Sequence, residues 1–284
     1  MHLLIFGLGY SGMALARLAR VVGMRVSATS RDVSRVMPPD GVTLVRFGAA
    51  LPEGVTHVVT TAAPDAQGDP VLAAYGAALG ASTTLVWAGY LSTTGVYGDR
   101  GGAWVDEATP VAPGNPRSVR RVLAEQGWAE LAGRGAVDLF RVAGIYGPGR
   151  SVLDEVRAGR ARRVLKPGHA FGRIYRDDIA GAVLAAVVQM RLAGVRILNL
   201  ADDVPSESAV VIEEAARLLG VGVPPAVPFA EAAAGMSEMA RSFWAENRKV
   251  ASVRTQAMLG YRWQYPSYRE GLRAILAAEA AGQG

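Results

Sequence analysis

His2-Leu3-Leu4-Ile5-Phe6-Gly7-Leu8-Gly9-Tyr10-Ser11-Gly12 decides the fold. An apolar run of strand type leads into three glycines at G-x-G-x-x-G spacing, a helical stretch follows, and a second strand, Arg25 to Thr29, closes the unit. In this pattern Gly7 permits the tight turn out of the strand, Gly9 lets the backbone approach a pyrophosphate, and Gly12 lets the helix pack close to the sheet. The first helical turn, with Tyr10 and Ser11, would present free amides to phosphates, where the helix dipole favours negative charge. The spacing therefore predicts a dinucleotide site. Thr61, Ala62 and Ala63, at the end of the β-branched run His57 to Thr61, complete the expected cofactor contacts.

If the dinucleotide is NAD, the second strand should end in an acid that accepts hydrogen bonds from the ribose hydroxyls. Counted from Gly12, that place falls near Thr29 or Ser30, and no acid stands there. Ser30 and Arg31 offer a hydroxyl and a guanidinium, which suit a 2′-phosphate. NADP is the expected cofactor. NAD is the alternative, with Arg31 simply solvated and Asp32 doing the acid's work a residue or two late.

At 284 residues, half of them hydrophobic, the chain can bury a sizeable core. It contains no cysteine, which excludes disulfides and thiolate metal sites, and no metal centre is expected. The formal charge of +5 comes mainly from arginine, since Lys166 and Lys249 are the only lysines. That excess favours anionic small molecules. Nucleic acid is not an expected partner, because the basic residues are not interleaved with aromatics. A strand begins almost at Met1 and no apolar run reaches the length of a membrane span, so the cytoplasm is the expected compartment and no membrane contact is foreseen.

Strand-like and helical segments alternate through the first two thirds of the chain. This predicts an α/β fold, a Rossmann-type doubly wound parallel sheet with helices on both faces. Asp69-Pro70 reads as an N-cap and first helical residue of a helix to about Leu79. A helix is expected from Ser118 to Leu131, and another from Asp178 to Met190. The tail is mostly helical, with Ser208 to Leu219 and Ser267 to Ala278 the clearest cases. Residues 1–148 are expected to form the dinucleotide-binding domain, joined again by 177–200. Residues 149–284 would form a smaller, mostly helical substrate lobe. The long Gly/Pro-containing stretch Gly98 to Pro116 is expected to be functional or flexible.

Four further stretches carry a resemblance: Leu91-Ser92-Thr93-Thr94-Gly95-Val96-Tyr97-Gly98-Asp99, Leu139 to Gly149, Arg173-Ile174-Tyr175-Arg176-Asp177-Asp178-Ile179-Ala180, and Ile197-Leu198-Asn199-Leu200-Ala201. In order and over nearly the whole length, the chain resembles the extended short-chain dehydrogenases/reductases, the fold family of the NAD-dependent epimerases and dehydratases. The resemblance implies a catalytic hydroxyl at Thr93. It also implies a Tyr-x-x-x-Lys pair on the following helix, and that pair is missing. The matching stretch runs Pro116-Arg117-Ser118-Val119-Arg120-Arg121-Val122-Leu123-Ala124-Glu125, with the family's flanking proline and glutamate in place. Arg117 stands where the tyrosine belongs and Arg121 where the lysine belongs, as in an atypical branch that lacks the pair.

The family's tyrosine serves as acid or base because the neighbouring ammonium lowers its pKa. Arginine can hold ribose hydroxyls but cannot exchange a proton at neutral pH. Arg121 is thus an expected ribose ligand, and Arg117 an expected binder of an anionic substrate group; both could instead lie on a solvated helix face. Tyr97 and Tyr146 lie in signatures where tyrosine is often structural. Tyr146, His169 and Arg173 are the remaining candidates for the substrate wall. The cluster Arg150, Arg157, Arg160, Arg162, Arg163, Lys166, Arg173 and Arg176 meets only Asp154 and Glu155 as acids nearby in sequence. Asp177-Asp178 are expected to cap a helix start.

These features imply an NADP-binding oxidoreductase or epimerase-type enzyme with a non-standard proton donor, acting on a small polar, anionic carbonyl or sugar-related compound. The alternative is a catalytically silent NADP-binding sensor of the same fold. Ordinary nucleotide-sugar epimerisation fits least, because it needs the absent acid/base. The resemblance also allows a homodimer.

Overall fold

In the computed structural model, which describes residues 1–281, the alternation of β-branched runs and helices resolves into one seven-stranded parallel sheet. Its strands are β1 (His2–Phe6), β2 (Arg25–Ser30), β3 (Val42–Arg46), β4 (His57–Thr60), β5 (Trp87–Thr93), β6 (Ala136–Val142) and β7 (Gly194–Leu200). They lie in the order β7-β6-β5-β4-β1-β2-β3. The helices are α1 (Tyr10–Val21), α2 (Pro70–Ala81), α3 (Pro116–Ala129), α4 (Val152–Arg157), α5 (Arg176–Val187), α6 (Ser208–Leu219), α7 (Phe229–Ala234), α8 (Glu238–Ala245), α9 (Val253–Leu259) and α10 (Tyr268–Ala281).

Both faces of the sheet are covered, which is why its central strands are buried almost throughout. On β1, Leu3 and Ile5 pack against Leu15, Ala16, Ile179 and Val183 of α1 and α5. Leu4 and Phe6 point the other way, onto Val71, Tyr75 and Leu79 of α2 and Trp128 of α3. A third core, built on Tyr146, Leu153, Tyr175, Ile212, Ala215, Tyr268 and Leu272, holds the smaller lobe. Segment 249–263 belongs to the sheet side as well, through Val250, Leu259 and Trp263.

The stretch Gly98 to Pro116 is tied down. Trp104–Val105 pairs in parallel with Lys249–Val250, and the amides of Arg100 and Gly102 donate to the Asn247 carbonyl. Helix α3 starts at Pro116, two residues before its expected start, because Asn115 caps it by accepting from the Ser118 amide at 3.0 Å. Helix α5 corrects another expectation. It begins at Arg176, and its N-cap residue Tyr175 makes no side-chain cap. Buried Asp178 instead accepts from the amides of Gln264 and Tyr265 at 2.8 and 3.0 Å and from the Tyr261 hydroxyl, so the signature fastens the C-terminal segment to this helix.

The chain's three histidines, His2, His57 and His169, are all buried. Burial lowers each pKa, that of His57 to about 4. A histidine held neutral in the fold protonates first in the unfolded chain, so stability is full above about pH 6.5 and falls as pH drops toward 4. His57 alone should account for a loss on the order of 3 kcal/mol across that window. Urea midpoints at pH 7 and pH 4.5 should therefore differ less in His57→Asn than in the wild type. An equal difference in both proteins would contradict the assignment.

Candidate functional site

The glycine turn is braced from two sides. Gly7, at φ +93°, donates its amide to Thr29 Oγ1 on β2, and its carbonyl accepts from the Thr61 hydroxyl beyond β4 at 2.8 Å. A Cβ on Gly12 would run into the Gly7 carbonyl oxygen, so only glycine lets α1 sit this close to the strand. Around Gly9 the situation is reversed. A Cβ there would meet nothing within 4 Å. Gly9 is also the N-cap of α1 without a capping side chain, and no acid lies in the first turn. The first amides of α1 thus face an open cradle with no protein acceptor, a fit for a pyrophosphate.

The Tyr10 side chain turns away from that cradle. Its hydroxyl donates to the Pro148 carbonyl at 3.0 Å, and the guanidiniums of Arg150 and Arg176 lie 5.7 and 5.1 Å from its ring. Only its backbone remains for the cofactor. At the end of β2, Ser30 donates to the Asp32 carbonyl. The Asp32 carboxylate caps the next turn through Ser34, accepting from its amide at 3.1 Å and its hydroxyl at 2.6 Å. Asp32 is therefore engaged locally, while Arg31 is exposed beside it.

At the same carboxyl edge, beyond β5 and β6, lies a cavity of about 510 Å³. Thr93, Arg117, Arg121, Tyr146 and Arg173 all line it. The Thr93 oxygen accepts the Gly95 amide at 3.1 Å, which leaves its proton free to donate. Arg121 donates to the Leu91 carbonyl at 2.8 Å and to the Tyr90 hydroxyl at 3.2 Å, so its guanidinium is anchored at the end of β5. Burial pushes the Tyr90 hydroxyl up to about 12, and it stays protonated. Arg117, one turn earlier on α3, is exposed, with its guanidinium 5.8 Å from the Phe243 ring.

The rotation of α3 that aims both arginines inward is set by Glu125. This buried carboxylate accepts from the Ser92 hydroxyl at 2.6 Å and from Arg141 Nε and Nη2 at 3.2 and 2.8 Å. Arg117, Arg121 and Glu125 follow at four-residue spacing and so share a helix face. The contacts extend across the sheet: the Arg141 guanidinium lies 4.8 Å from the Tyr97 ring, and Tyr97 donates to Asn199 Oδ1 at 2.7 Å. Tyr97 is therefore part of the packing.

Two expectations for the substrate wall need correction. His169 does not line the cavity: it is 2% exposed and stacks behind Trp244, ring centroids 5.3 Å apart. Half of the basic cluster is ion-paired, two of its arginines by distant acids that sequence proximity could not show. Arg157 pairs with Glu279 at 2.6 Å, Arg163 with Glu213 at 2.5 Å and Arg176 with Asp177 at 2.8 Å, while Arg160 takes Glu155 at 3.0 Å. Tyr146 faces the cavity with its ring only. Its hydroxyl donates to the Ser267 carbonyl at 3.2 Å, and burial raises its pKa. Arg173 donates through Nη1 to the carbonyls of Phe171 and Ser206, both at 3.0 Å, and keeps its other nitrogens.

Sequence reasoning missed the segment that closes the cavity. Ser242, Phe243, Trp244, Glu246 and Arg248 all line it. Glu246 accepts from Asn115 at 2.9 Å and from Arg248 at 2.7 Å, and Arg248 also donates to the Gly98 carbonyl. The adjacent aromatics Phe243-Trp244 were the available signal.

No protein-family model matches the chain. A solved structure of a functionally unknown conserved protein from Silicibacter pomeroyi DSS shares 42% identity, covers 98% of this chain and 99% of its own, and superposes with a TM-score of 0.89. The human epimerase family protein SDR39U1, solved with NADPH, is 20% identical with a TM-score of 0.77, over 98% of this chain and 99% of its own. Among curated proteins, a 3-diazoavenalumate denitrifying reductase from a Streptomyces species is 27% identical over 96% of this chain and 99% of its own. The fold is that of the NAD-dependent epimerase/dehydratase group, the extended short-chain dehydrogenases/reductases. Within it, the chain belongs to the same family as the Silicibacter protein.

Proposed function

We propose that this protein is an NADP(H)-dependent oxidoreductase of the extended short-chain type, acting on a small anionic substrate without a tyrosine–lysine pair. One observation carries the reading: Thr93 and Arg121 face a single cavity at the sheet edge where the open glycine cradle also lies. Gly7, Gly9 and the amides of Tyr10, Ser11 and Gly12 would hold the pyrophosphate. Ser30 and Arg31 would hold the 2′-phosphate, Thr61, Ala62 and Ala63 the adjoining strand-end contacts, and Arg121 the ribose. When bound, the dinucleotide supplies or accepts a hydride. The relatives agree in kind, one being solved with NADPH and another named a reductase.

Substrate charge follows from the lining. Arg117, Arg121, Arg173 and Arg248 surround the cavity, and Glu246, its one carboxylate, is bound to Arg248 and Asn115. An anion would be drawn in and held by charge-assisted hydrogen bonds. Thr93 would donate to the reacting oxygen, where developing negative charge strengthens that bond. Tyr146 keeps its proton on the Ser267 carbonyl. The proton would then come from water entering the cavity. Retention of this lined cavity favours an enzyme over a silent sensor.

NADPH at a hundred times its dissociation constant should stabilise the fold by about 2.7 kcal/mol, visible as a melting shift. NADH should bind more weakly, and Arg31→Ala should remove most of the difference. Equal affinity for both dinucleotides would reject the 2′-phosphate assignment, and no shift with either would reject the site. With a carbonyl carboxylate that is turned over, Thr93→Val should slow the reaction by roughly 10²–10³ while leaving NADPH affinity intact. An unchanged rate would remove Thr93 from the mechanism.

A further inference from the structure

Arg117 occupies an awkward place. It lies in the first turn of α3, which holds no acid, so its positive charge sits at the positive end of the helix dipole. Among the described residues it has no ion pair, and its neighbour in the cavity is the ring of Phe243. Phe243 is itself 57% exposed, a large apolar surface left facing water within a cavity. A free guanidinium and an uncovered aromatic ring side by side are both relieved by one kind of ligand: an anion joined to a flat apolar body.

The rest of that wall is aromatic. Trp244 meets Phe171 edge to face, with centroids 4.9 Å apart and planes at 87°. Behind it His169 stacks at 5.3 Å, and Phe229 closes the far side at 5.3 Å. Lys166 donates to the Trp244 carbonyl, which fixes the backbone as well. This side of the cavity offers π faces, while the hydrogen-bonding groups of the lining include the cationic Arg117, Arg121, Arg173 and Arg248, which suit a carboxylate. The combination favours a planar conjugated body over a polyhydroxylated ring.

We propose that the cavity is a binding site for aromatic or conjugated carboxylates, with the carboxylate on Arg117 and the ring against Phe243, Trp244 and Phe171. This rests on the functional reading above and names its substrate class. It assigns Arg117 and Phe243 as the residues that set specificity.

Calorimetric titration of the full-length protein with trans-cinnamate tests it, with and without NADPH present. Cinnamamide and cyclohexanecarboxylate serve as the uncharged and the non-planar comparisons, and UDP-glucuronate as the sugar-nucleotide one. Cinnamate should bind at least tenfold more tightly than each of the three. It should also quench tryptophan fluorescence, and that quenching should be lost in Trp244→Phe. Arg117→Met should weaken cinnamate at least tenfold without lowering its melting temperature or its NADPH-induced shift. Phe243→Ala should weaken it several-fold.

Equal binding of cinnamate and cinnamamide would overturn the proposal, as would tighter binding of UDP-glucuronate or an unchanged cinnamate affinity in Arg117→Met. Each of these leaves the cofactor reading untouched, because that reading is decided by the NADPH shift alone.

Discussion

Replacing Glu125 with alanine should destabilise the protein by about 3–5 kcal/mol, the cost of stranding a buried guanidinium. The Arg141–Glu125 pair is 2.8 Å long, with side chains only 5% and 6% exposed. Losing the carboxylate also deprives the Ser92 hydroxyl of its acceptor. Burial acts to lower the Arg141 pKa, and the bonds to Glu125 outweigh it and raise the value, so Arg141 keeps its charge in the fold. The consequence reaches the cavity, because α3 would lose the contact that sets its rotation and Arg121 its alignment on Leu91. Urea unfolding measures the first effect and NADPH affinity the second. A loss under about 1 kcal/mol would place this pair with ordinary surface ion pairs.

Gly9→Val should have an equally large effect of a different kind. The backbone there, at φ −87° and ψ −159°, is extended and open to any L-residue, and a Cβ would touch no protein atom within 4 Å. The variant should therefore keep its stability, within about 0.5 kcal/mol, as surface substitutions do. Its side chain would fill the cradle above α1, and NADPH affinity should fall at least a hundredfold, about 2.7 kcal/mol. Gly12→Ala is the contrast, since its Cβ meets the Gly7 carbonyl oxygen and should damage fold and binding together. Retained affinity in Gly9→Val would move the pyrophosphate elsewhere.

Local signals in the sequence were legible wherever the physics is local. The glycine turn stands as read, helix 208–219 has its expected ends, and Asp69 caps α2 through the Val71 and Leu72 amides. The proline and glutamate that frame Arg117 and Arg121 do place both side chains at the cavity. The start of α3 carried the same cap-plus-proline signal, in Asn115-Pro116, that was legible in Asp69-Pro70.

Illegible were the contacts made over long separations. No local pattern announces that Glu279 neutralises Arg157 or that Glu213 meets Arg163. Nor does any show that Trp244 comes to rest on His169 and turns an exposed-looking loop histidine into a buried support. Asp178 was misread for a similar reason. An acid at a helix start is usually a cap, and only the return of residues 261–265 supplies the partners that claim it.

The join between Gly98–Pro116 and the segment around Asn247 bears on how the molecule is made. All seven strands have been synthesised once Leu200 is translated, before Phe243, Trp244 and Arg248 are added. The dinucleotide half can take shape while the substrate half still lacks a wall. Asn115 and Glu246, 131 residues apart, meet only after that. The late-arriving segment 242–248 lines the cavity and lies outside the seven-stranded sheet, so its sequence can be exchanged to alter the wall without rebuilding the strands beneath it.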